Sequence, residues 1–265
     1  MELKLFLEEI NLKYNYDFRN YSSHSMRRRI LHGMNLMGCH TIEELHEKVL
    51  QDSEQFQELM QYITVPVSSM FRDPSYYLAL RKKVIPHLKT YPSLKIWIAG
   101  CSTGEEVYSI AILLQEEGLL DNTILYATDI NKRGLEKAEK GVFSQEDAKK
   151  AEVNYQSSGG KRLLKDYYTT IKDKVKFDSI LIKNVIFSGH SLVTDSVFSE
   201  THLISCRNVL IYFDKELQDR ALELFHESLC RKGFLGLGSK ETLQFSNQAK
   251  NFDAFSAADR IYQKK

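Results

Sequence analysis

The stretch LKIWIAGCSTGEEVYSIAILLQEEG, residues 94–118, decides how this chain is read. Its apolar opening, LKIWIA, predicts a strand, Gly100 closes it, and a helix begins with Glu105 and Glu106. Glycine-rich turns between strand and helix usually hold phosphate against bare amide N–H groups. Here two carboxylates stand at the helix mouth, where they repel an anion. A triphosphate loop needs GxxxxGK[ST], and no lysine follows Gly104. A dinucleotide fingerprint needs three glycines, and this turn supplies only Gly100 and Gly104.

Downstream of this turn, strand and helix alternate. TILYATDI, HLISCRNVLIYF and GFLGLG read as strands, NKRGLEKAEKG and DKELQDRALELFHESLC as helices, and FDAFSAADRIYQKK as a closing hairpin. The alternation predicts an α/β domain with a Rossmann-like, mostly parallel sheet over residues 94–265. Residues 142–190 interrupt it and read as an insertion with some strand, around DYYTTIKDKVKF and KNVIFS. Upstream, LKLFLEEI, MRRRILHGMNLMG, TIEELHEKVLQD and EQFQELMQYI carry helical spacing, which predicts a small all-α domain over residues 1–73. Thr41 and Glu44 form a capping-box start, and Gly38 a helix stop. Asp73 and Pro74 are placed as N-cap and first position of a linker helix, residues 74–93.

Charge is balanced, with 36 basic and 35 acidic residues, so no global field favours nucleic acid or an acidic membrane. Cys39, Cys101, Cys206 and Cys230 are scattered without a CxxC pair, which suggests neither zinc nor disulfides and fits a reducing cytosol. The eight histidines form no HExxH, and no metal is expected. MELKLFLEEINLKYNY carries acids within its apolar pattern and does not read as a signal peptide. No apolar run approaches membrane-spanning length. A cytoplasmic monomer is expected.

A ligand with a cationic end resolves the glycine turn. S-adenosylmethionine carries an ammonium and a sulfonium and no phosphate, and a carboxylate at the helix mouth can pair with the ammonium while favoured by the helix N-terminus. The next strand ends in ATDIN, and Asp129 is placed to hydrogen-bond ribose hydroxyls. Two plainer readings stand beside this one: helix-start charge for the glutamates and an N-cap for Asp129.

FRDP at 71–74, AGCSTGEEVYS at 99–109, ATDIN at 127–131, CRNVLIYFD at 206–214 and the GFLGLGSKE region at 233–241 together resemble the CheR-type protein-glutamate O-methyltransferases. The similarity spans nearly the whole chain, including YDFRNYSSHSMRRRI near its start. It implies a class I S-adenosylmethionine-dependent methyltransferase domain preceded by the all-α domain, with S-adenosylhomocysteine as product. It also implies that chemoreceptors or other signalling proteins are the methyl acceptors. By that resemblance Ser68, Gly100, Glu106, Asp129, Arg207 and Asn208 surround the cofactor, with Ser191 and Leu192 near the adenine. Arg72 and Tyr212 line the methyl-transfer site, Arg72 also reaching the cofactor. The resemblance turns the basic MRRRI helix toward the acceptor and gives the insertion a receptor-tethering role in some members. This sequence departs from the pattern at Pro66, Ser68, Ser191 and His202.

Methylating a carboxylate needs no general base, because a glutamate with a pKa of about 4.3 is ionised at neutral pH. Alignment and exclusion of water are what the site must supply. Arg72 suits a carboxylate because its fork donates two hydrogen bonds. Cys206 reads as inert core, and His190 as a loop histidine satisfied by its surroundings. Two alternatives remain: a small-molecule methyltransferase, and a non-catalytic signalling module that keeps the cofactor fold. A nucleic-acid amine methyltransferase would carry a [DNS]PP[YFW] segment, and none of the four prolines are adjacent.

Overall fold

The computed structural model describes residues 2–64 and 68–265, so the departure at Pro66 lies outside the described residues. Four helices open the chain: α1 (Leu3–Tyr14), α2 (Ser23–Leu36), α3 (Ile42–Gln51) and α4 (Ser53–Ile63). They enclose their own core of Phe6, Ile10, Ile30, Leu45, Phe56 and Leu59. Thr41 Oγ1 accepts from Glu44 N at 3.1 Å, and Glu44 reaches back to the amide of His40 rather than that of Thr41. Gly38 adopts φ +71° just after α2, which frees the chain to turn.

The linker helix is broken into α5 (Pro74–Ala79), a wider π turn at Leu80–Val84 and α6 (Ile85–Leu88). Pro86 has no N–H to continue the regular ladder, which accounts for the irregular turn before it. The second unit follows as β1 (Leu94–Ala99), α7 (Glu105–Glu116), β2 (Thr123–Asp129) and α8 (Lys132–Lys140). Next come β3 (Val142–Ser144), α9 (Gln145–Ser157), β4 (Tyr168–Ile171), β5 (Lys174–Phe177) and β6 (Val185–Gly189). The chain ends with β7 (Thr201–Cys206), α10 (Lys215–Ser228), β8 (Leu229–Leu237), β9 (Phe252–Ser256) and β10 (Ile261–Lys264).

Among the described residues the main sheet has seven strands in the order β6-β2-β1-β7-β8-β10-β9. The five from β6 to β8 are parallel, and the β9–β10 hairpin closes the edge antiparallel. The period-two rule shows in β1: Ile96 and Ile98 join the core under α7, whereas Trp97 and Ala99 join the core under α10. Trp97 is fully buried and donates from Nε1 to Thr128 Oγ1 at 2.8 Å, so truncating it to alanine is expected to cost about 3–5 kcal/mol. Chain order reverses between β1 and β7, which puts a crevice at their C-terminal ends.

The insertion differs from the expectation in two ways. Its 13-residue helix α9 was not legible, because its buried stripe is only Ala148, Ala151 and Tyr155, and alanine writes a faint hydrophobic pattern. Its C-terminal part, β6, belongs to the main sheet beside β2. What remains is α9 and a small antiparallel sheet, β3-β5-β4. The insertion is anchored by the buried Glu116 carboxylate, which pairs with Arg81 and accepts from Tyr155 and from Tyr167.

The two units meet beside the crevice. Asn131, the N-cap of α8, donates from Nδ2 to Thr64 Oγ1 at 2.7 Å and accepts from Gln61 Nε2 at 2.8 Å. Arg133 pairs with Glu54 across the same boundary at 2.8 Å.

Candidate cofactor and methyl-transfer site

The crevice begins at the glycine turn. Gly100 and Cys101 both donate their amides to Thr128 O, at 2.8 and 2.9 Å, which bends the chain sharply out of β1. Gly100 sits at φ +76°, and a Cβ there would fall 2.4 Å from Val209 Cγ2. Only glycine therefore lets the loop after β7 close against the loop after β1.

The structure separates the two glutamates. Glu105 is turned aside, its carboxylate accepting from Thr103 Oγ1 at 2.7 and 2.9 Å, and burial raises its pKa. Glu106 lines the cavity. Its Oε1 accepts from Ser205 Oγ at 2.5 Å, Ser205 in turn meets the Tyr76 hydroxyl at 2.8 Å, and its Oε2 lies 3.5 Å from Arg207 Nη1. Asp129 lines the same cavity at the end of β2, and its two oxygens accept from the amides of Ser102 and Asn131, both at 2.8 Å. Burial raises its pKa above the ordinary value, and these amides partly oppose the rise.

Arg207 is an anchor more than a free cation. Its side chain is 1 % exposed and donates to Arg72 O at 2.7 Å and to Asp73 Oδ2 at 2.9 Å. Its guanidinium also lies over the Tyr76 ring, 4.3 Å from the centroid. Asp73 is the N-cap and Pro74 the first position of α5, as the sequence predicts, but the Asp73 side chain makes no cap bond: the residue stands at φ +56°, and its carboxylate is engaged by Arg207. Phe71 is left-handed too, at φ +52°, and its amide donates to Ser109 Oγ at 2.9 Å. Two non-glycine residues at positive φ store strain on either side of Arg72, held by Ser109 and Arg207. Among the described residues the Arg72 guanidinium has no carboxylate partner, and it lines the cavity.

Ser68, Leu192, Asn208 and Tyr212 line that cavity as well. Ser191 does not. It lines an adjoining hollow between the two units, with Asp17 and Lys132 on the same wall, and its Oγ accepts from the amides of Val193 and Thr194. His190 borders both hollows; its Nε2 meets Ser196 O at 3.3 Å, in line with the loop histidine expected, while its buried Nδ1 has no hydrogen-bond partner among the described residues. His202 lies far along the sheet, where its Nδ1 accepts from Lys95 N at 3.0 Å.

The helical unit also supplies cavity wall, which sequence reasoning missed: Tyr21, Arg29 and Thr64. Of the MRRRI cluster, Arg27 and Arg28 are exposed as a solvated face should be, but Arg29 is buried. It donates to Ile63 O at 2.8 Å and lies over the Tyr212 ring. The signal was present, since Met26, Arg29, Ile30, Gly33 and Met34 share one face at helical spacing.

This donor set suits S-adenosylmethionine. Glu106 can pair with an ammonium, Asp129 retains lone pairs for ribose hydroxyls, and the glycine turn leaves a cradle that a side chain would fill. Among the described residues no three His, Cys, Asp or Glu side chains group as metal ligands. No helix among them is long and apolar enough to cross a membrane.

Comparison with known proteins agrees with the geometry. Residues 66–259 match the family model described as CheR methyltransferase, SAM binding domain, and residues 1–64 match CheR methyltransferase, all-alpha domain. The chain is 56 % identical over 264 residues to Cher3 of Pseudomonas putida, covering 100 % of this chain and 97 % of that protein. It is 32 % identical over 232 residues to the chemotaxis protein methyltransferase of Listeria monocytogenes, covering 86 % of this chain and 84 % of the other. A chemotaxis protein methyltransferase of Borreliella burgdorferi is 30 % identical over 201 residues, or 71 % of this chain and 68 % of the other. With both family models matched in order along the chain, it belongs to the CheR family of S-adenosylmethionine-dependent methyltransferases.

Proposed function

We propose that this enzyme methylates glutamate side-chain carboxylates of chemoreceptors or related signalling proteins, forming glutamyl methyl esters. The observation that carries this reading is Arg72, a cation at the cavity wall that no carboxylate among the described residues neutralises. A small neutral or cationic acceptor gives no use to such a group, whereas a carboxylate can take both arms of its fork. The cofactor supplies a methyl group on a positively charged sulfur. The chain supplies position and dryness. Glu106 and Asp129 hold the cofactor's polar ends, Arg72 holds the acceptor carboxylate, and Tyr212 offers a hydroxyl on a ring fixed by Arg29.

No residue is required to remove a proton, because the acceptor is already ionised at neutral pH. Alignment of the reacting groups in a site shielded by both units then carries the rate. The names of the Listeria and Borreliella relatives point to chemotaxis, which supports a receptor as acceptor. Methyl-labelled S-adenosylmethionine incubated with chemoreceptor cytoplasmic fragments tests the reading. Label that alkali releases as methanol is expected; alkali-stable label, or none, defeats it.

A further inference from the structure

Glu241 lies just beyond β8, in the sequence GSKE, and plays no part in the chemistry above. It is a buried acid, 4 % exposed, with no cation paired to it among the described residues. Backbone amides take the place of a cation. Oε2 accepts from Gly238 N at 2.6 Å and from Asn208 N at 2.9 Å, Oε1 accepts from Ile211 N at 3.3 Å, and the Leu210 amide adds to the set. Three of these four donors belong to the turn at residues 208–212, which carries Asn208 at its start and Tyr212 at its end.

Within the turn Tyr212 N donates to Val209 O and Phe213 N to Leu210 O, both at 3.1 Å, and Glu241 holds the amides that these bonds leave free. Asn208 stands at φ +61°, a left-handed conformation that asparagine tolerates better than most side-chain-bearing residues, and its amide is aimed there at Glu241. Gly238 allows the clamp to close: a Cβ there would lie 2.7 Å from Glu241 Oε2 and 2.8 Å from Asn208 N. For folding alone the arrangement is expensive, since burying a carboxylate is costly unless several hydrogen bonds offset it. A buried charge spent on one turn makes sense when the position of that turn matters more than its stability.

We propose that Glu241 is a positioning residue for methyl transfer, its carboxylate fixing the 208–212 turn and thereby the places of Asn208 and Tyr212 at the cavity wall. The proposal rests on the assignment of that cavity to cofactor and acceptor. Glu241 touches neither; it acts through the turn.

Three variants of the full chain test it. Glu241→Gln keeps the volume but turns an N–H₂ toward amide donors, Glu241→Asp keeps the charge on a shorter arm, and Leu243→Ala opens a buried apolar site two residues away. Calorimetry measures S-adenosylhomocysteine affinity, and kcat and KM are measured with a chemoreceptor cytoplasmic fragment, each below the variant's own Tm. Glu241→Gln is expected to lose about tenfold or more in kcat and to bind S-adenosylhomocysteine more weakly, with KM for the fragment little changed. Glu241→Asp should recover part of both, whereas Leu243→Ala should lower Tm and keep both.

Wild-type kcat and affinity in Glu241→Gln overturn the proposal, as does an equal loss in Leu243→Ala. If Glu241→Gln does not fold, the same comparison is made with Glu241→Asp. If the wild type binds S-adenosylhomocysteine but methylates no fragment, the glutamate reading fails separately. Affinity then decides on Glu241, weaker binding in the variant supporting the clamp and unchanged binding refuting it.

Discussion

The Arg29 guanidinium lies over the Tyr212 ring, 4.1 Å from its centroid, so a helix of the N-terminal unit braces a wall residue of the methyltransferase cavity. Such a contact is worth about 0.5–2 kcal/mol, more as it is desolvated, and Arg29 is only 8 % exposed. Its loss frees the ring and removes a positive charge from a site proposed to take a carboxylate. Arg29→Ala is therefore expected to lower methyl transfer about tenfold or more while S-adenosylhomocysteine affinity stays within about threefold. Arg29→Lys should restore little, since an ammonium is a compact point charge without the planar face that stacks. Steady-state rates beside calorimetry check this, and unchanged rates in both variants would sink it.

Arg72 tests the acceptor side directly. With no carboxylate partner among the described residues, its removal strands no buried acid and should leave Tm nearly unchanged. Losing a bidentate, charge-assisted contact should lower kcat/KM for a receptor fragment by about 10- to 100-fold. Thermal melts and initial rates of Arg72→Ala decide the matter; a large fall in Tm would mean that Arg72 holds the fold.

Arg207 makes the opposite prediction. Its contacts to Asp73 and Arg72 O fix the strained FRDP turn, and its Nη1 faces Glu106. Arg207→Met leaves Glu106 and Asp73 without their cation; Asp73 is 34 % exposed and regains water, so the loss should fall below the roughly 3–5 kcal/mol of a fully buried pair. Denaturant unfolding should show that loss, with no S-adenosylmethionine concentration restoring wild-type turnover. A variant as stable as wild type would show that Arg207 contributes to ligand contact alone.

These three arginines also show what the sequence could and could not say. Glu106 and Asp129 were legible because strand, glycine turn and helix fix where such residues point, whatever the rest of the fold does. Arg207 reads equally well as ligand contact or ion pair, and only the left-handed turn at Asp73 shows what it holds. Arg29 was hidden by its neighbours: two exposed arginines make the third look solvated, although its spacing from Met26 and Ile30 sets it on the apolar face. Helix α9 was hidden by alanine, and the inward turn of Glu241 by its place after a glycine-rich strand end. In each case the missing information is a contact made by a residue distant in the chain.

Asp129 gives a pH prediction with a definite sign. Burial raises its folded-state pKa above the ordinary 3.8, so the carboxylate takes up a proton earlier on acidification than an exposed aspartate. A group raised in this way favours the unliganded fold below its unfolded pKa and loses that contribution as pH rises through the folded one. Ribose binding needs the opposite form, because the ionised carboxylate is the better acceptor. The rise in Tm produced by S-adenosylhomocysteine should therefore shrink on acidification, beginning at higher pH than an exposed aspartate would give, without a matching loss of apo stability from this group. Asp129→Asn is the control, because it removes the titrating carboxylate and leaves the neighbouring groups in place. A shift that shrinks equally in Asp129→Asn belongs to another group.

The pair at the helix mouth gives the sharpest discrimination, because two adjacent glutamates do different work. Glu106 faces the cavity, and its carboxylate is already oriented by Ser205. Glu106→Gln can still accept that hydrogen bond, so the fold should survive, but it has no charge to pair with an ammonium. Losing one charge-assisted contact predicts S-adenosylhomocysteine binding weaker by about 10- to 100-fold. Glu105 has its carboxylate occupied by Thr103, outside the cavity lining, and Glu105→Gln removes only charge near a helix N-terminus. Burial already disfavours that charge and offsets the helix-start gain of about 0.3–1 kcal/mol, so stability should change little, with affinity within about twofold of wild type. Paired titrations settle it: equal losses in the two variants would mean that the acids act as a diffuse field at the helix start, and that the ammonium has no dedicated partner.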